Sequence, residues 1–348
     1  MGAKLKRWKP VNGKFVYLNQ SSDIYLKNIT GAQNMLIHKL TKIGLGTVIG
    51  ALMLGVLSAC SSTSDVSEDT SLDSRGYSST ERLVSTKWVA DNLDNKNVKV
   101  IDIRKAEDYD AGHIPGALNY SSKELQVESG GVKGLIPPST DISNKLSSLG
   151  IKSDDTIIIY DGIKNLWSTR FLWTLDVYGH DDARMMDGSF GLWEKENRKI
   201  TTDATSVKAS TYKFTGTANS ELVTSIETVL GSLDDSSSVV LDTRGAEEFA
   251  GRDVRASRGG HIPGSIHVEW VNNVDEDGRF LPASDLKELY ASAYITDELG
   301  DIYTLCQTAV RATHSWYVLA DLLGFDNVSV YDGSWTEWGN REDTPIDS

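Results

Sequence analysis

The sequence predicts an α/β protein made of two tandem copies of one unit, each a parallel sheet flanked by helices. Three observations carry this. The chain repeats itself: Val100-Ile101-Asp102-Ile103-Arg104 followed by Gly112-His113-Ile114-Pro115-Gly116 returns as Val240-Leu241-Asp242-Thr243-Arg244 followed by Gly260-His261-Ile262-Pro263-Gly264. Asp187-Gly188-Ser189 with Trp193 likewise returns as Asp332-Gly333-Ser334 with Trp338, and corresponding residues keep nearly constant separations, the mark of a duplicated domain. Within each copy, short β-branched runs alternate with helical patterns, which argues for a parallel sheet covered on both faces. The third observation is size: 348 residues, 39% hydrophobic and 24% charged, are enough for two domains that each bury a core.

The elements follow in chain order. Residues 1–59 read as a leader: Lys39 and Lys42 precede an uncharged run from Ile43 to Ala59 that is short for a membrane-spanning helix. It ends in Leu57-Ser58-Ala59-Cys60, with small residues where a signal peptidase cuts. Residues 1–34 fit neither a signal nor a domain, which leaves Met35 as an alternative start. Residues 60–80 form a polar tether, 81–196 the first copy, 197–217 a polar linker and 218–345 the second copy. Thr156–Tyr160 and Asp301–Leu305 read as buried strands. After the second, Ala312, Ser315, Trp316, Leu319, Leu322 and Leu323 share a helical face that Gly324 ends, and Val328–Tyr331 is a further strand.

Charge excludes several classes of partner. The chain carries −14 overall, but residues 1–59 hold eight basic residues and one acid. Removing them leaves 27 of the 35 basic residues against 48 of the 49 acidic ones, a net −21. A body that acidic excludes nucleic acid, and an anionic substrate must be drawn in by a local positive site.

There are two cysteines, Cys60 and Cys306, so no disulfide framework can be read. Cys306 falls at the carboxyl end of a strand and ahead of a helix, where open parallel sheets bind ligands. Its loop, Cys306-Gln307-Thr308-Ala309-Val310-Arg311, turns backbone N–H groups inward, a concavity that favours a thiolate or another anionic sulfur. Arg311 adds a permanent positive charge suited to an oxyanion. The first copy has Asp161 at the matching place and therefore no nucleophile.

Two resemblances attach to these residues. The segment Leu57–Cys60 resembles the lipobox of bacterial lipoproteins, which implies lipidation of Cys60, export and a membrane anchor; Ser61 favours the outer membrane over the inner. The paired Asp-x-Arg, Gly-His-Ile-Pro-Gly and Asp-Gly-Ser…Trp motifs with a Cys-led loop resemble the rhodanese family from about Glu81 to Pro345. That resemblance implies an active second copy and a degenerate first one. It implies transfer of sulfur from thiosulfate through a Cys306 persulfide to cyanide or a thiol, with no metal and no cofactor. The backbone of Gln307, Thr308, Ala309 and Val310, with Arg311, is expected to bind the substrate. Rhodanese-like phosphatases carry Cys-x5-Arg; the Cys-x4-Arg here is a smaller cradle that favours sulfur. Mercaptopyruvate enzymes of the family carry a Cys-Gly-Ser-Gly-Val loop and an arginine at the place of Glu248, and neither is present. Mercaptopyruvate therefore stands as the alternative donor, beside a slow persulfide carrier and a non-catalytic module.

Other residues divide between architecture and chemistry. Asp242 and Arg244 read first as a structural pair and second as pocket support, because Asp102 and Arg104 repeat them in the copy without cysteine. His113 and His261 read as scaffold, His314 as a packed residue, and Trp193, Trp335 and Trp338 as packing. Arg252, Arg255 and Arg258 form a basic insertion that either borders the pocket, with Arg258 as a support, or is a solvated loop.

Overall fold

The computed structural model describes residues 9–11, 14–16, 66–180 and 182–348. Ahead of Cys60 these comprise two short strands, Lys9–Val11 and Lys14–Val16, paired antiparallel. Met35, the apolar run and the lipidation site at Cys60 lie outside the described residues. No helix among those described is long and apolar enough to cross a membrane.

Each copy forms a five-stranded parallel sheet. In the first, β1 (Leu83–Ser85), β2 (Val98–Asp102), β3 (Leu118–Asn119), β6 (Thr156–Tyr160) and β7 (Ala183–Asp187) run in the order β1-β7-β6-β2-β3. Strands β4 (Val127–Ser129) and β5 (Val132–Leu135) form a separate antiparallel hairpin. In the second copy, β8 (Val223–Thr224), β9 (Val239–Asp242), β10 (Ile266–His267), β11 (Ile302–Leu305) and β12 (Val328–Tyr331) repeat the order as β8-β12-β11-β9-β10. The predicted fold class is therefore observed. The central strand β6 is buried along its whole length, which is why Thr-Ile-Ile-Ile-Tyr shows no alternation.

Two helices follow the two site loops, α1 (Leu166–Tyr178) and α2 (Val310–Tyr317). They pack against each other, with the Thr169 and Thr313 hydroxyls 3.4 Å apart. Phe171, Leu172, Leu175, Ala312 and Trp316 bury there, so the copies share one apolar core. Beyond Tyr317 the helix widens into a π-turn, Val318–Leu322, where the sequence predicts uninterrupted α-helix. The extra residue per turn buries Val318, Leu319 and Leu322 together while Asp321 faces Arg82 at 3.3 Å.

Two connecting segments differ from expectation because each finds a surface. Residues 66–80 belong to the expected tether, yet Val66 and Leu72 are buried, and Arg75 and Tyr77 donate to the carbonyl of Phe280. The linker runs along the first copy: Thr201 bridges His113, Ser210 donates to the Ser147 carbonyl, and Tyr212 is buried. The tail mirrors it on the second copy, where Asp347 bridges His261. His113 and His261 anchor these straps, stacked on Tyr109 and Phe249 at 3.7 and 3.9 Å.

Candidate active site

Strand β11 delivers Cys306 into a loop that curls before α2, and the thiol is free and 1% exposed. The curl comes from Ala309, held in the left-handed region at φ +60° as the cap of α2. The loop's carbonyls are held from outside: Trp335 N donates to Cys306 O at 2.9 Å and Thr336 N to Gln307 O at 3.0 Å. In a planar trans peptide the following N–H points the opposite way, so Gln307 and Thr308 aim their N–H groups into the concavity. Among the described residues, the N–H groups of Gln307, Thr308, Val310 and Arg311 reach no acceptor, while those of Cys306 and Ala309 donate to Ser334. They are the free donors a bound anion needs.

Arg311 stands beside the sulfur. Burial pulls its guanidinium down, but the Glu248 carboxylate and the Cys306 sulfur hold it above its ordinary value. Glu248 is 3% exposed and accepts from Arg311 in bidentate fashion, at 2.5 and 2.9 Å. Burial pushes the Glu248 carboxyl up, and the hydrogen bond and charge of Arg311 outweigh that to hold it below its usual range. Arg255 lies 3.6 Å from the same carboxylate and receives a hydrogen bond from Gln307 on its carbonyl. One corner of the site is therefore a guanidinium–carboxylate–guanidinium array in which Arg311 keeps only part of its donor set for a ligand.

The other expected residues fall into place or out of it. Asp242 and Arg244 form a buried bidentate pair; Arg244 also donates to Gly260 O at 2.7 Å and lies over Trp335 at 4.2 Å. They brace the Gly-His-Ile-Pro-Gly turn. Asp102 and Arg104 do the same with Gly112, with Phe190 beneath the guanidinium. Arg258 is not brought to the pocket, contrary to expectation: its guanidinium is held by Trp338 O and Thr344 O in the tail. Arg252 pairs with Glu247 at the surface. Of the basic insertion, Arg255 alone reaches the site corner. His314 is fully buried between Asn273 and the Lys164 carbonyl, and burial lowers it to about 3, so it is a neutral packing residue.

Two working residues carried no role in the sequence reading. Ser334 Oγ accepts from Cys306 N at 3.3 Å and Ala309 N at 3.1 Å while donating to Tyr331 O. Asp332 joins the copies, accepting from Arg170 at 2.7 Å and from Ile136 N at 2.8 Å. The recurrence of Asp-Gly-Ser was the available signal, but only the fold shows what those side chains touch.

In the first copy Asp161 fills its own cradle. One carboxylate oxygen accepts from Ile163 N and Asn165 N, the other from Trp167 N and Ser168 N, at 2.7–3.1 Å. That loop is one residue longer, because its left-handed cap is Asn165, and Trp167 stands where Arg311 stands in the second copy. A cavity of about 540 Å³ opens over it, lined by Arg104, Asp161, Trp167 and Phe190 among others.

The rhodanese-like domain model matches residues 85–196 and 225–341. The chain is 34% identical over 285 residues to the thiosulfate sulfurtransferase of Corynebacterium glutamicum, covering 78% of this chain and 92% of that one. It is 34% identical over 284 residues to the sulfur carrier protein TtuD of Thermus thermophilus, covering 78% and 98%. Among solved structures, the anaerobic ergothioneine biosynthesis enzyme of Chlorobium limicola shares the fold at a TM-score of 0.68 with 22% identity, over 77% of this chain and 70% of that one. The fold, the duplicated motifs and the Cys-led loop thus have one explanation: the chain belongs to the rhodanese family. Its activity is sulfur transfer between a donor and an acceptor.

Proposed function

We propose that the second copy is a thiosulfate sulfurtransferase working through a Cys306 persulfide. The observation that carries this is the set of unpaired N–H groups at Gln307, Thr308, Val310 and Arg311 around the Cys306 thiol, with the Arg311 guanidinium beside the sulfur. The Cys306 thiolate attacks the outer sulfur of thiosulfate, forming one S–S bond. The donor's own S–S bond breaks, and sulfite leaves with its electron pair. The terminal persulfide sulfur, again an anion, lies in the cradle until a thiol or cyanide attacks it and returns the thiolate. The buried Glu248 on Arg311 supports an inorganic donor, since it leaves no second free guanidinium for a carboxylate such as that of mercaptopyruvate.

Intact mass of the protein after brief exposure to thiosulfate tests this, with a Cys306→Ser control. Gain of one sulfur atom, removed by cyanide and absent from the control, is expected. Gain from mercaptopyruvate alone overturns the donor and keeps the mechanism. Stable loading with negligible turnover on small acceptors would favour the carrier reading, which the similarity to a sulfur carrier protein supports.

We propose also that the chain is exported and anchored through lipidated Cys60, on the strength of Leu57-Ser58-Ala59-Cys60. Labelling cells with a fatty-acid probe checks it: label is expected on this protein and lost in Cys60→Ser.

A further inference from the structure

The strained turn of the active loop is held from the copy that has no nucleophile. Gln126, just ahead of the β4–β5 hairpin of the first copy, donates through Nε2 to the carbonyl of Thr308 at 3.0 Å. That peptide is gripped from both ends, because the N–H of Ala309 donates to Ser334 Oγ at 3.1 Å. The held residue is Ala309, which has no side-chain reason to sit at φ +60° and does so fully buried. The hairpin gets this close because residue 134 is glycine at φ +87°: a Cβ there would lie 2.5 Å from Thr308 Cβ. Its approach is fixed by Thr336 Oγ1 donating to Lys133 O at 2.9 Å and by Arg170 donating to Gly134 O at 3.1 Å.

We infer that Gln126 is a positioning residue for sulfur transfer, which keeps Ala309 left-handed and so keeps the loop's N–H groups turned toward the Cys306 sulfur. The first copy would thus be a working part of the active site, through a residue that touches neither donor nor sulfur. This deepens the reading of Cys306 as the nucleophile and does not depend on which donor it uses. If the hydrogen bond is lost, the Thr308–Ala309 peptide is free to flip to a relaxed conformation, and the cradle loses its shape while the surrounding core stays packed.

The test is the alkylation rate of Cys306 by iodoacetamide as a function of pH, which needs no donor, in Gln126→Met and in Gln126→Met combined with Ala309→Gly. Glycine takes the left-handed conformation without strain, so it relieves the need for the clamp. In Gln126→Met the thiolate fraction is expected to rise at higher pH than in wild type and persulfide formation from thiosulfate to slow about tenfold, with the thermal midpoint little changed. Adding Ala309→Gly is expected to restore both to within about threefold. An unchanged alkylation profile in Gln126→Met overturns the inference, and so does a shifted profile that Ala309→Gly fails to restore. If wild type alkylates normally but takes no sulfur from thiosulfate, the donor assignment fails and the inference stands on the alkylation data.

Discussion

The loops at Asp161 and Cys306 occupy the same place in two copies of one fold, each at the end of the central strand and ahead of a central helix. In the first, a carboxylate consumes four N–H groups and the loop is complete without a ligand. In the second, a thiol leaves the N–H groups of Gln307, Thr308, Val310 and Arg311 without an acceptor, and a guanidinium stands where the first has a tryptophan. A parallel-sheet loop of this shape creates donors that must be met by something. One copy meets them with its own side chain, and the other leaves them unmet by its own chain.

That contrast can be broken most severely at the nucleophile. Cys306→Asp should turn the second loop into a self-filled one, with sulfur transfer reduced by more than about 10³-fold while the protein stays folded; single-turnover assay with thiosulfate and circular dichroism check the two halves. Next comes the charge beside the sulfur. Arg311→Ala should lower kcat/KM by about 10²-fold, and it strands buried Glu248, lowering stability by about 3 kcal/mol in urea unfolding. The double variant Arg311→Ala with Glu248→Gln should recover most of the stability and none of the rate.

In the first copy the expected effect is on folding alone. Asp161→Ala leaves four N–H groups of a partly exposed loop without their acceptor and should cost about 1–2 kcal/mol. The rate per folded molecule should change less than twofold, and a large loss in folded protein would show that this loop takes part in chemistry.

The smallest effect is one of pH. Burial holds His314 at about 3, well under its ordinary value, so the folded state keeps it neutral. Its contribution to stability is intact above about pH 6.5 and is lost progressively as the pH falls from there toward 3. Between pH 7 and pH 5 the wild type should lose about 2 kcal/mol more than His314→Gln. Asp187, which burial lifts to about 6, acts in the opposite sense as the pH falls below 6, but it is common to both proteins and cancels in the comparison. Equal acid limbs in the two unfolding profiles would mean that His314 is not neutral and buried.

Much of this was legible in the residues. The duplication, both central strands, Cys306 as the strand-end thiol and Asp161 as its counterpart follow from period, β-branched runs and position at a strand end, which are local properties. The misreadings share a cause. For Arg258 the sequence leaves pocket support and a solvated loop both open, because charge is visible along the chain while its partner is not, and that partner is the tail, which returns across the second copy. The segment from residue 66 reads as part of a tether because it is polar, yet Val66 and Leu72 are buried against folded neighbours.

By itself, the sequence determined the class of fold, its doubling, and which copy carries a cysteine at its strand-end loop, because strand periodicity, turn motifs and the identity of residue 306 are written along the chain. The tertiary structure decided what those residues meet: that Glu248 clamps Arg311, that Ser334 holds the loop from below, that Asp332 ties the copies together, and that Gln126 reaches Thr308 from the other copy. These contacts join residues 25 to 196 positions apart. Pairings at such range are fixed by how two sheets and two central helices pack, and no local pattern in the chain records them.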